Sequence, residues 1–562
     1  MSRSVRYPHP IIDVYLPKIV GRFLLVSLNI EAILGEVTIR QRRKKLEEMT
    51  QGNGLSDAYT ATLSRIKAQK GYKSILGLKV LMWVLYSERP LRGEELRHAL
   101  GVEIGSADLD PENGPALRTL VASCLGLVMV EASSSTVRLV HFTLREHLSS
   151  DPTLFNSPHS AIAEVCLTYL NFGSVRDLSP THRSAPRTMP FLEYASLSWW
   201  KHTRMGMTEN IELLALRLLD RFDEHISAQL LLLHYYRWAF KEPFYSGQGG
   251  PTGFTGLHGV AFLGILEIAA AVLDMKEWDI NAADCMGITA LTWAITRGHD
   301  GIVRMLLERE DINPNQADVI YGRTPLLWAA KGGHSRVLKM LLEREDVNPN
   351  QGDTQYGQTP LSWAAENGNE GIFRMILERT DVNPNQPDTE YSQTPLWWAA
   401  KNGHEGIVRM LLGRKGVNPD QPDTIYHRAP LSWAAQNGDE GIFRMLLERK
   451  DVNPNRPDTK YSQTPLWWAA KNGHEEIVRM LLGRKDVDPN QPDTMYRRTP
   501  LSWATQNGHK GIANILLQWV EVNPDQPDTM HGRTPLWWAA ANQYQGIAFK
   551  RRRLNDDSDT QT

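Results

Sequence analysis

The sequence predicts a mostly α-helical protein in which a solenoid of short repeats is preceded by a smaller domain and further helical segments. The solenoid is predicted by the tripeptide Thr-Pro-Leu, which begins at Thr324 and returns at a spacing of 35 residues. With two weaker copies upstream, this period gives about nine units over residues 251–549. A fixed period of this length is typical of stacked repeats. A chain of 562 residues is also too long for one hydrophobic core, so an elongated array or several domains are expected.

Each unit is predicted to form two short helices joined by a tight turn. Thr394 suits a helix N-cap, and Pro395 suits the first helical position, where its missing N–H has no consequence. Gly403 suits the left-handed residue that closes this helix. The second helix is predicted to turn two arginines outward and to bury one apolar face: Arg409 and Arg414 outside, and Ile407, Val408, Met410 and Leu411 inside.

The full pattern, Thr-Pro-Leu-x-x-Ala-Ala-x-x-Gly-His-x-x-Ile-Val-x-x-Leu-Leu, resembles the ankyrin repeat, whose usual period is about 33 residues. In this chain the segment between units is longer and richer in proline, as at residues 383–389. The tryptophan-bearing variant resembles the ankyrin arrays of NACHT-type proteins of filamentous fungi. The resemblance implies stacked helix pairs, hairpins that project from one edge, and a concave surface that binds other proteins.

A second period of 70 residues runs through the array. Units with Ser-Trp at the start of the first helix alternate with units that have Trp-Trp there. The second helix changes in the opposite sense, because the Ser-Trp units carry Phe373 and Phe443 where the Trp-Trp units carry Val408 and Val478. Such exchanges are expected where side chains pack closely, since overfilling a core costs about 1–3 kcal/mol.

One tryptophan recurs in eight successive units of the array, from the second unit onward, and it has two interpretations. An aromatic groove for a partner is one, because buried tryptophans often anchor interfaces. Packing between neighbouring first helices is the other, and we favour it because this position does not vary. The ladder comprises Trp328, Trp363, Trp398, Trp433, Trp468 and Trp503, with Trp293 and Trp538 at its ends.

Two positions of the predicted hairpin tip do vary, which indicates either partner-specific contacts or free drift at an exposed site. We predict protein contacts at the tips. If Gly322 and Gly357 supply a positive φ, the residues that replace them must strain or change the turn. The predicted contact residues lie four positions before the threonine, at Gln355, Glu390, Ile425, Lys460 and Met495, and two positions before it, at Ser392, His427 and Arg497.

Residues 71–150 are predicted to form three helices followed by a β-hairpin, with helices over 75–86, 90–100 and 115–125 and strands over 127–131 and 137–142. This order is that of a winged helix. The segments 88–96, 124–128 and 138–147 resemble the winged helix that follows the NACHT module in fungal STAND proteins, of the type named for inositol deacylase. DNA binding is not expected, because the third helix carries only Arg118 and the hairpin only Arg138.

Residues 1–70 resemble the helical end of a NACHT module, including a buried helix over 19–34. The dipeptide Gly-Lys is absent from the chain, so no phosphate-binding loop of the GxxxxGK[ST] type is present. This suggests a truncated gene or a degenerate paralogue. Residues 151–250 are expected to be a helical connector and residues 550–562 a disordered tail.

Other chemistry is weakly signalled. Lys+Arg 62 against Asp+Glu 64 leaves the chain nearly neutral, which argues against nucleic acid and membrane surfaces as partners. The three cysteines lack metal-site spacing, and the repeat histidines, such as His404, are expected to be structural. We expect no cofactor, no metal and no catalytic residue. The expected location is cytoplasmic, with a weak nuclear signal at 550–553.

These observations predict a non-enzymatic scaffold, or the ligand-sensing arm of a fungal NLR-like (STAND) protein, that binds protein ligands through the array. One alternative is an inactive regulator that docks onto intact NACHT relatives or onto itself. Another is a truncated NTPase whose phosphate-binding loop lies upstream of residue 1.

Overall fold

The structure is a computed structural model that describes residues 37–50, 55–180, 182, 184–239, 253–274 and 278–542. These residues fall into two compact units, one that ends at Trp278 and one that begins at Asp279. The predicted helix over 19–34, the Gly-rich segment over 246–251 and the tail over 550–562 lie outside the described residues. Within the described part of the chain, no helix is both long enough and apolar enough to cross a membrane.

The first unit is helical apart from one small hairpin. Its core is formed by buried leucines and aromatic residues, with Trp83 packed edge-on against Phe191 at a ring distance of 5.7 Å. In chain order its elements are α1 (Ile39–Thr50), α2 (Leu55–Lys67), α3 (Tyr72–Tyr86), α4 (Gly93–Gly101), α5 (Leu117–Ser123), β1 (Val128–Val130), β2 (Val137–Leu139), α6 (Phe142–Ser149), α7 (Pro158–Leu170), α8 (Gly173–Arg176), α9 (Leu192–Thr203), α10 (Glu209–Leu219), α11 (Ile226–Ala239), α12 (Gly256–Leu263) and α13 (Leu266–Asp274).

Elements α3 to β2 have the predicted order of three helices and an antiparallel hairpin, in which Val128 pairs with Leu139 and Val130 with Val137. Several helix boundaries differ from the prediction, since the helices begin at Tyr72, Gly93 and Leu117 instead of at residues 75, 90 and 115. Two of the differences have a clear cause. Helix α4 begins at Gly93 instead of residue 90, because the Leu91 carbonyl accepts the N–H of Val137 at 2.8 Å and so continues the hairpin. Helix α5 ends at Ser123 because the chain adopts a left-handed conformation shortly afterwards, at Leu125 (φ 46°) and Gly126 (φ 85°).

The second unit consists of helix pairs that repeat in register with the Thr-Pro-Leu motif. Buried leucines, alanines and isoleucines from both helices of each pair form a continuous core. The described helices are α14 (Ala290–Arg297), α15 (Asp300–Leu307), α16 (Pro325–Gly332), α17 (Ser335–Leu342), α18 (Pro360–Glu366), α19 (Glu370–Leu377), α20 (Pro395–Asn402), α21 (Glu405–Leu412), α22 (Pro430–Asn437), α23 (Glu440–Leu447), α24 (Pro465–Asn472), α25 (Glu475–Leu482), α26 (Pro500–Gln506), α27 (Lys510–Gln518) and α28 (Pro535–Ala541).

The predicted helix signals of the repeat act as expected. Thr394 accepts the N–H of Trp397 with its hydroxyl at 3.2 Å, and Pro395 occupies the first position of α20. Gly403 closes this helix with φ 78°. These three residues fix where α20 begins and ends.

The outward orientation predicted for Arg414 is wrong. Arg409 is exposed, but the Arg414 guanidinium reaches back to the preceding repeat and donates to the carbonyls of Leu377 and Arg379. Those carbonyls belong to the end of α19 and the residues after it, where helical partners are lacking. The arginine therefore links one repeat to the one before it, as Arg484 does by donating to the Leu447 carbonyl at 2.9 Å.

Candidate protein-interaction surface

Each hairpin of the array is built around a buried aspartate. The Asp388 carboxylate accepts the N–H of Tyr391 at 2.8 Å, and the Asp388 N–H donates to the Gln393 carbonyl at 3.1 Å. These bonds close a turn whose outermost residue is Glu390, and they do not involve its side chain. The described hairpins bury the same aspartate throughout, at Asp284, Asp318, Asp353, Asp388, Asp423, Asp458, Asp493 and Asp528.

Adjacent hairpins are joined edge to edge by a repeated backbone hydrogen bond. The N–H of Thr424 donates to the carbonyl of Tyr391 at 2.8 Å, and Thr459 and Thr494 make the same bond to the tyrosine of the hairpin before them. The tips are therefore held at a regular spacing on a stiff edge. Side chains can differ from tip to tip without disturbing this frame.

The residues predicted to contact partners lie at these tips. Ser392 is half-buried, whereas Ile425 and Met495 leave 42% and 46% of their surface in solvent although both are apolar. Their role in binding stays a prediction. The other predicted contact residues are also exposed, namely Gln355, Glu390, His427, Lys460 and Arg497.

The replacement of the tip glycine strains the turn and does not change it. Gly322 and Gly357 have φ values of 64° and 72°, and His427 and Arg497 keep φ at 51° and 53° in the same place. A left-handed conformation costs a residue with a Cβ about 1–2 kcal/mol. The chain thus tolerates strain at these tips so that the turn stays the same.

The tryptophan ladder runs beside the hairpins and alternates with cationic side chains. Between Trp433 and Trp468 lies the Arg428 guanidinium, 5.0 and 4.1 Å from the two ring centres. Distances of this size are those of cation–π contacts. We call this row the indole–cation column, and its members are Trp398, Lys401, Trp433, Arg428, Trp468, Lys471, Trp503, Arg498 and Trp538.

The tryptophans of the ladder are neither fully exposed, as an aromatic groove would require, nor all fully buried, as simple packing between first helices would require. Trp293 and Trp468 are buried, at 2% and 9% exposure, and the other described ladder members are half-buried. Several indole N–H groups are held by the hairpin aspartates, as in the 2.7 Å bond from Trp503 to Asp493. The rings are thus packed within the array with one edge toward solvent, and their part in partner binding stays untested.

The other tryptophan of the Trp-Trp units links neighbouring repeats. Trp397 is buried, and its indole N–H donates forward to the Asp423 carboxylate and the Arg428 carbonyl, each at 3.1 Å. Its ring lies 5.4 Å from that of Trp433 in an edge-on arrangement. These contacts between neighbouring repeats therefore recur every 70 residues, with the Trp-Trp units. The predicted exchange partners are all fully buried, at Phe373, Val408, Phe443 and Val478.

The residue before each threonine was not singled out from the sequence, although it determines the environment of the next aspartate. Arg428 lies 3.4 Å from the Asp458 carboxylate, and Arg498 makes the same ion pair one super-period later. Gln358 takes this place before Asp388, and burial there raises the pKa of the Asp388 carboxyl. This position varies between Arg and Gln from repeat to repeat, and that variation is the sequence signal that could have revealed the pairs: it holds Arg323, Gln358, Gln393, Arg428, Gln463, Arg498 and Arg533.

The repeat histidines are structural, as expected. The His404 imidazole Nε2 lies 3.0 Å from the Glu366 carbonyl at the end of the preceding first helix, and His474 and His509 repeat this contact. The partner is the previous repeat instead of the local turn. Among the described residues, no group of three or more His, Cys, Asp or Glu side chains is arranged to hold a metal ion.

The first unit contains buried polar groups that the sequence did not indicate. The Nδ1 atoms of His159 and His202 lie 2.8 Å apart, and the Tyr194 hydroxyl lies 3.0 Å from His202 Nε2. Burial lowers the pKa of His202 to about 4, so this imidazole is neutral at physiological pH. The cluster thus ties α7 to α9 without a buried charge.

Comparison with protein families agrees with this architecture. Residues 63–162 match the family described as GPI inositol-deacylase, winged helix domain. Models described as ankyrin repeats match residues 267–342 (many copies) and five overlapping segments between 311 and 549 (three copies each). No curated protein matches the sequence.

The predicted fold class, an ankyrin solenoid preceded by a winged helix, is therefore confirmed. Ankyrin repeats are non-catalytic modules that bind other proteins, so protein partners are implied. The matches together span residues 267–549, about half of the sequence, so this part of the chain consists of ankyrin repeats.

Proposed function

We propose that the chain is a protein-interaction scaffold, or the ligand-sensing arm of a fungal NLR-like (STAND) protein, and that it captures its partner on the hairpin side of the array. One observation carries this proposal. The turns are fixed by the same buried aspartate and the same backbone bonds, while their exposed tips differ from Gln355 to Met495. A rigid frame with variable loops is how binding surfaces are commonly made.

The winged helix is proposed to relay or restrain the response and not to bind DNA. Phosphate recognition needs several cations on the third helix and the wing. Helix α5 carries Arg118 alone, and the Arg138 guanidinium of the hairpin lies 3.1 Å from the Glu131 carboxylate, which neutralises it. An intramolecular role in the cytoplasm is consistent with this charge distribution.

A non-enzymatic role is favoured by the state of the two buried cysteines and of the charged groups in one cleft of the first unit. Burial raises the pKa of Cys124 to about 12 and also raises that of Cys166, so neither thiol ionises near neutral pH. In the cleft beside α4 and α7, Asp108 accepts hydrogen bonds from Ser174, and Arg97 pairs with Glu94 at 2.7 Å. These groups are engaged within the protein and are poor candidates for acid, base or nucleophile.

The proposal can be tested with a photo-crosslinking residue at one tip. Introduced at Glu390 in the full chain, it should yield a discrete crosslinked protein in cells of the source organism. The same residue at Arg374, which is exposed on α19 away from the tips, is the matched control and should not. Equal crosslinking from both positions, or none from any tip, would argue against capture by the hairpins.

A deletion gives a second test. Removing residues 359–498 takes out four whole repeats and joins Gln358 to Thr499 in register. The crosslinked partner should be lost, while circular dichroism and thermal unfolding still report the first unit. Retention of the partner by the deletion variant would contradict the assignment of partner binding to the array.

A further inference from the structure

We propose that three successive hairpin tips form a docking strip for an acidic, partly apolar and extended segment of a partner protein. The strip, called the basic tip strip below, consists of Ile425, His427, Lys460, Met495 and Arg497. The docking proposal rests on the proposed capture of a partner by the array. It goes further because it names the chemistry of the partner and the place where the partner binds.

The cations of the strip are not neutralised by the protein. His427 and Arg497 make no hydrogen bond and no ion pair with the described residues, and the Lys460 ammonium lies over Tyr426 and Tyr461 at 5.1 and 5.2 Å. The hairpin aspartates beside them are buried and directed to backbone N–H groups. Two cations, Lys460 and Arg497, and the imidazole of His427 therefore face solvent on three consecutive tips, an arrangement complementary to carboxylates.

Backbone strain gives an independent reason. His427 and Arg497 stand where Gly322, Gly357 and Gly532 stand in other repeats, with a left-handed φ that glycine adopts more easily. Their side chains add no contact within the described chain that would offset this strain. Strained residues that persist at exposed positions point to a role outside folding.

Apolar side chains complete the strip. Ile425 and Met495 are exposed at 42% and 46%, two repeats apart, on either side of Lys460. An apolar pair framed by cations fits a segment that carries both carboxylates and hydrophobic residues. The tip before the strip carries Glu390, which is acidic, so the row of basic side chains ends there.

The spacing of the repeats sets the pattern of the segment. Packed helices lie about 8–10 Å apart and an extended chain advances about 3.3 Å per residue, so one tip corresponds to roughly three residues of the segment. Carboxylates are expected at about every third residue, and two apolar residues about six apart.

A fluorescent peptide of about twelve residues with this pattern of Glu and Leu is the probe, titrated with the full chain and followed by anisotropy. Wild type should bind it, and affinity should fall as salt rises. The exposed double reversal Lys460→Glu with Arg497→Glu should weaken binding about tenfold or more. Arg444→Glu, an exposed reversal on α23 away from the tips, is the matched control and should change affinity less than twofold.

The proposal would be overturned by equal binding of the probe by the double variant and wild type, by equal binding of a peptide with Lys in place of Glu, or by tighter binding of an oligodeoxythymidine of the same length. A gain in affinity on changing Asp556, Asp557 and Asp559 to Asn would also overturn it, because the acidic tail of the chain would then be the occupant. The crosslink at Glu390 decides the proposed function separately. If it persists in the double variant, capture by the array stands and only the acidic partner is excluded.

Discussion

Replacement of Ala429 by threonine should stabilise the repeat that begins there. Ala429 holds the N-cap position of α22 with φ −84° and ψ 162°, close to the −83° and 164° of Thr394. Thr394 accepts the N–H of Trp397 with its hydroxyl, whereas Ala429 has no such acceptor. The corresponding N–H of Ser432 donates instead to the Ala429 carbonyl at 3.0 Å.

The expected gain follows from this comparison. An N-cap threonine is worth about 0.5–2 kcal/mol relative to alanine. Since the Ser432 N–H already has a partner, the lower half of that range applies, and we expect about 1 kcal/mol. The site is buried, but Thr359 occupies the equivalent buried site one super-period upstream, so a threonine fits.

Thr359→Ala is the matched reverse change, because it removes the 3.1 Å bond from the Ser362 N–H to the threonine hydroxyl. Native-state hydrogen exchange of peptides from α22–α23 and α18–α19 reports each repeat locally. Ala429→Thr should raise protection about fivefold and Thr359→Ala should lower it by a similar factor. If Thr359→Ala lowers protection while Ala429→Thr leaves it unchanged or lowers it, the attribution of the difference to capping is wrong.

Three further predictions concern the hairpins. His427→Gly should raise the free energy of unfolding by about 0.5 kcal/mol, since relief of the left-handed strain exceeds the entropy that glycine adds to the unfolded chain; urea unfolding measures it, and a loss of stability would contradict it. Burial raises the pKa of the Asp388 carboxyl, so the native state binds a proton there more tightly than the unfolded chain does. Ionisation of Asp388 at higher pH therefore lowers the free energy of unfolding. Wild type should therefore gain stability relative to Asp388→Asn as pH falls through the raised pKa toward 3.8, and a pH-independent difference would refute this. Arg428→Gln should destabilise the array by about 1–3 kcal/mol because the buried Asp458 carboxylate loses its cation, and unchanged urea unfolding would contradict it.

Much of the fold followed from local signals in the sequence. Thr394, Pro395 and Gly403 act through their own backbone and its nearest neighbours, so their positions alone predict where a helix begins and ends. Arg414 shows where such reasoning stops. It was predicted to lie in the second helix with an outward side chain, yet α21 ends at Leu412 and the long side chain of Arg414 reaches carbonyls of the previous repeat. Only the stacking of repeats brings these carbonyls into range.

The candidate site likewise has features that could be predicted from the sequence and features that could not. The hairpin tips were found because variation on a constant repeat is visible within one sequence. The pairing of Arg428 with Asp458 was not found, although the variation between Arg and Gln at this position was visible, because the partner lies in the next hairpin. The forward bond from Trp397 to Asp423 was missed for the same reason.

The hairpin tips and the indole–cation column should respond differently to amino-acid substitution. At a tip such as Lys460, the turn is fixed by backbone bonds and by Asp458, so a new side chain alters what can bind and leaves the frame intact. In the indole–cation column, Arg428 contacts rings from two repeats and a carboxylate from the next. A change there alters stability and surface together. A single substitution can therefore preserve folding most easily at the tips, and this is the physical reason to expect partner recognition at the hairpins instead of at the tryptophans.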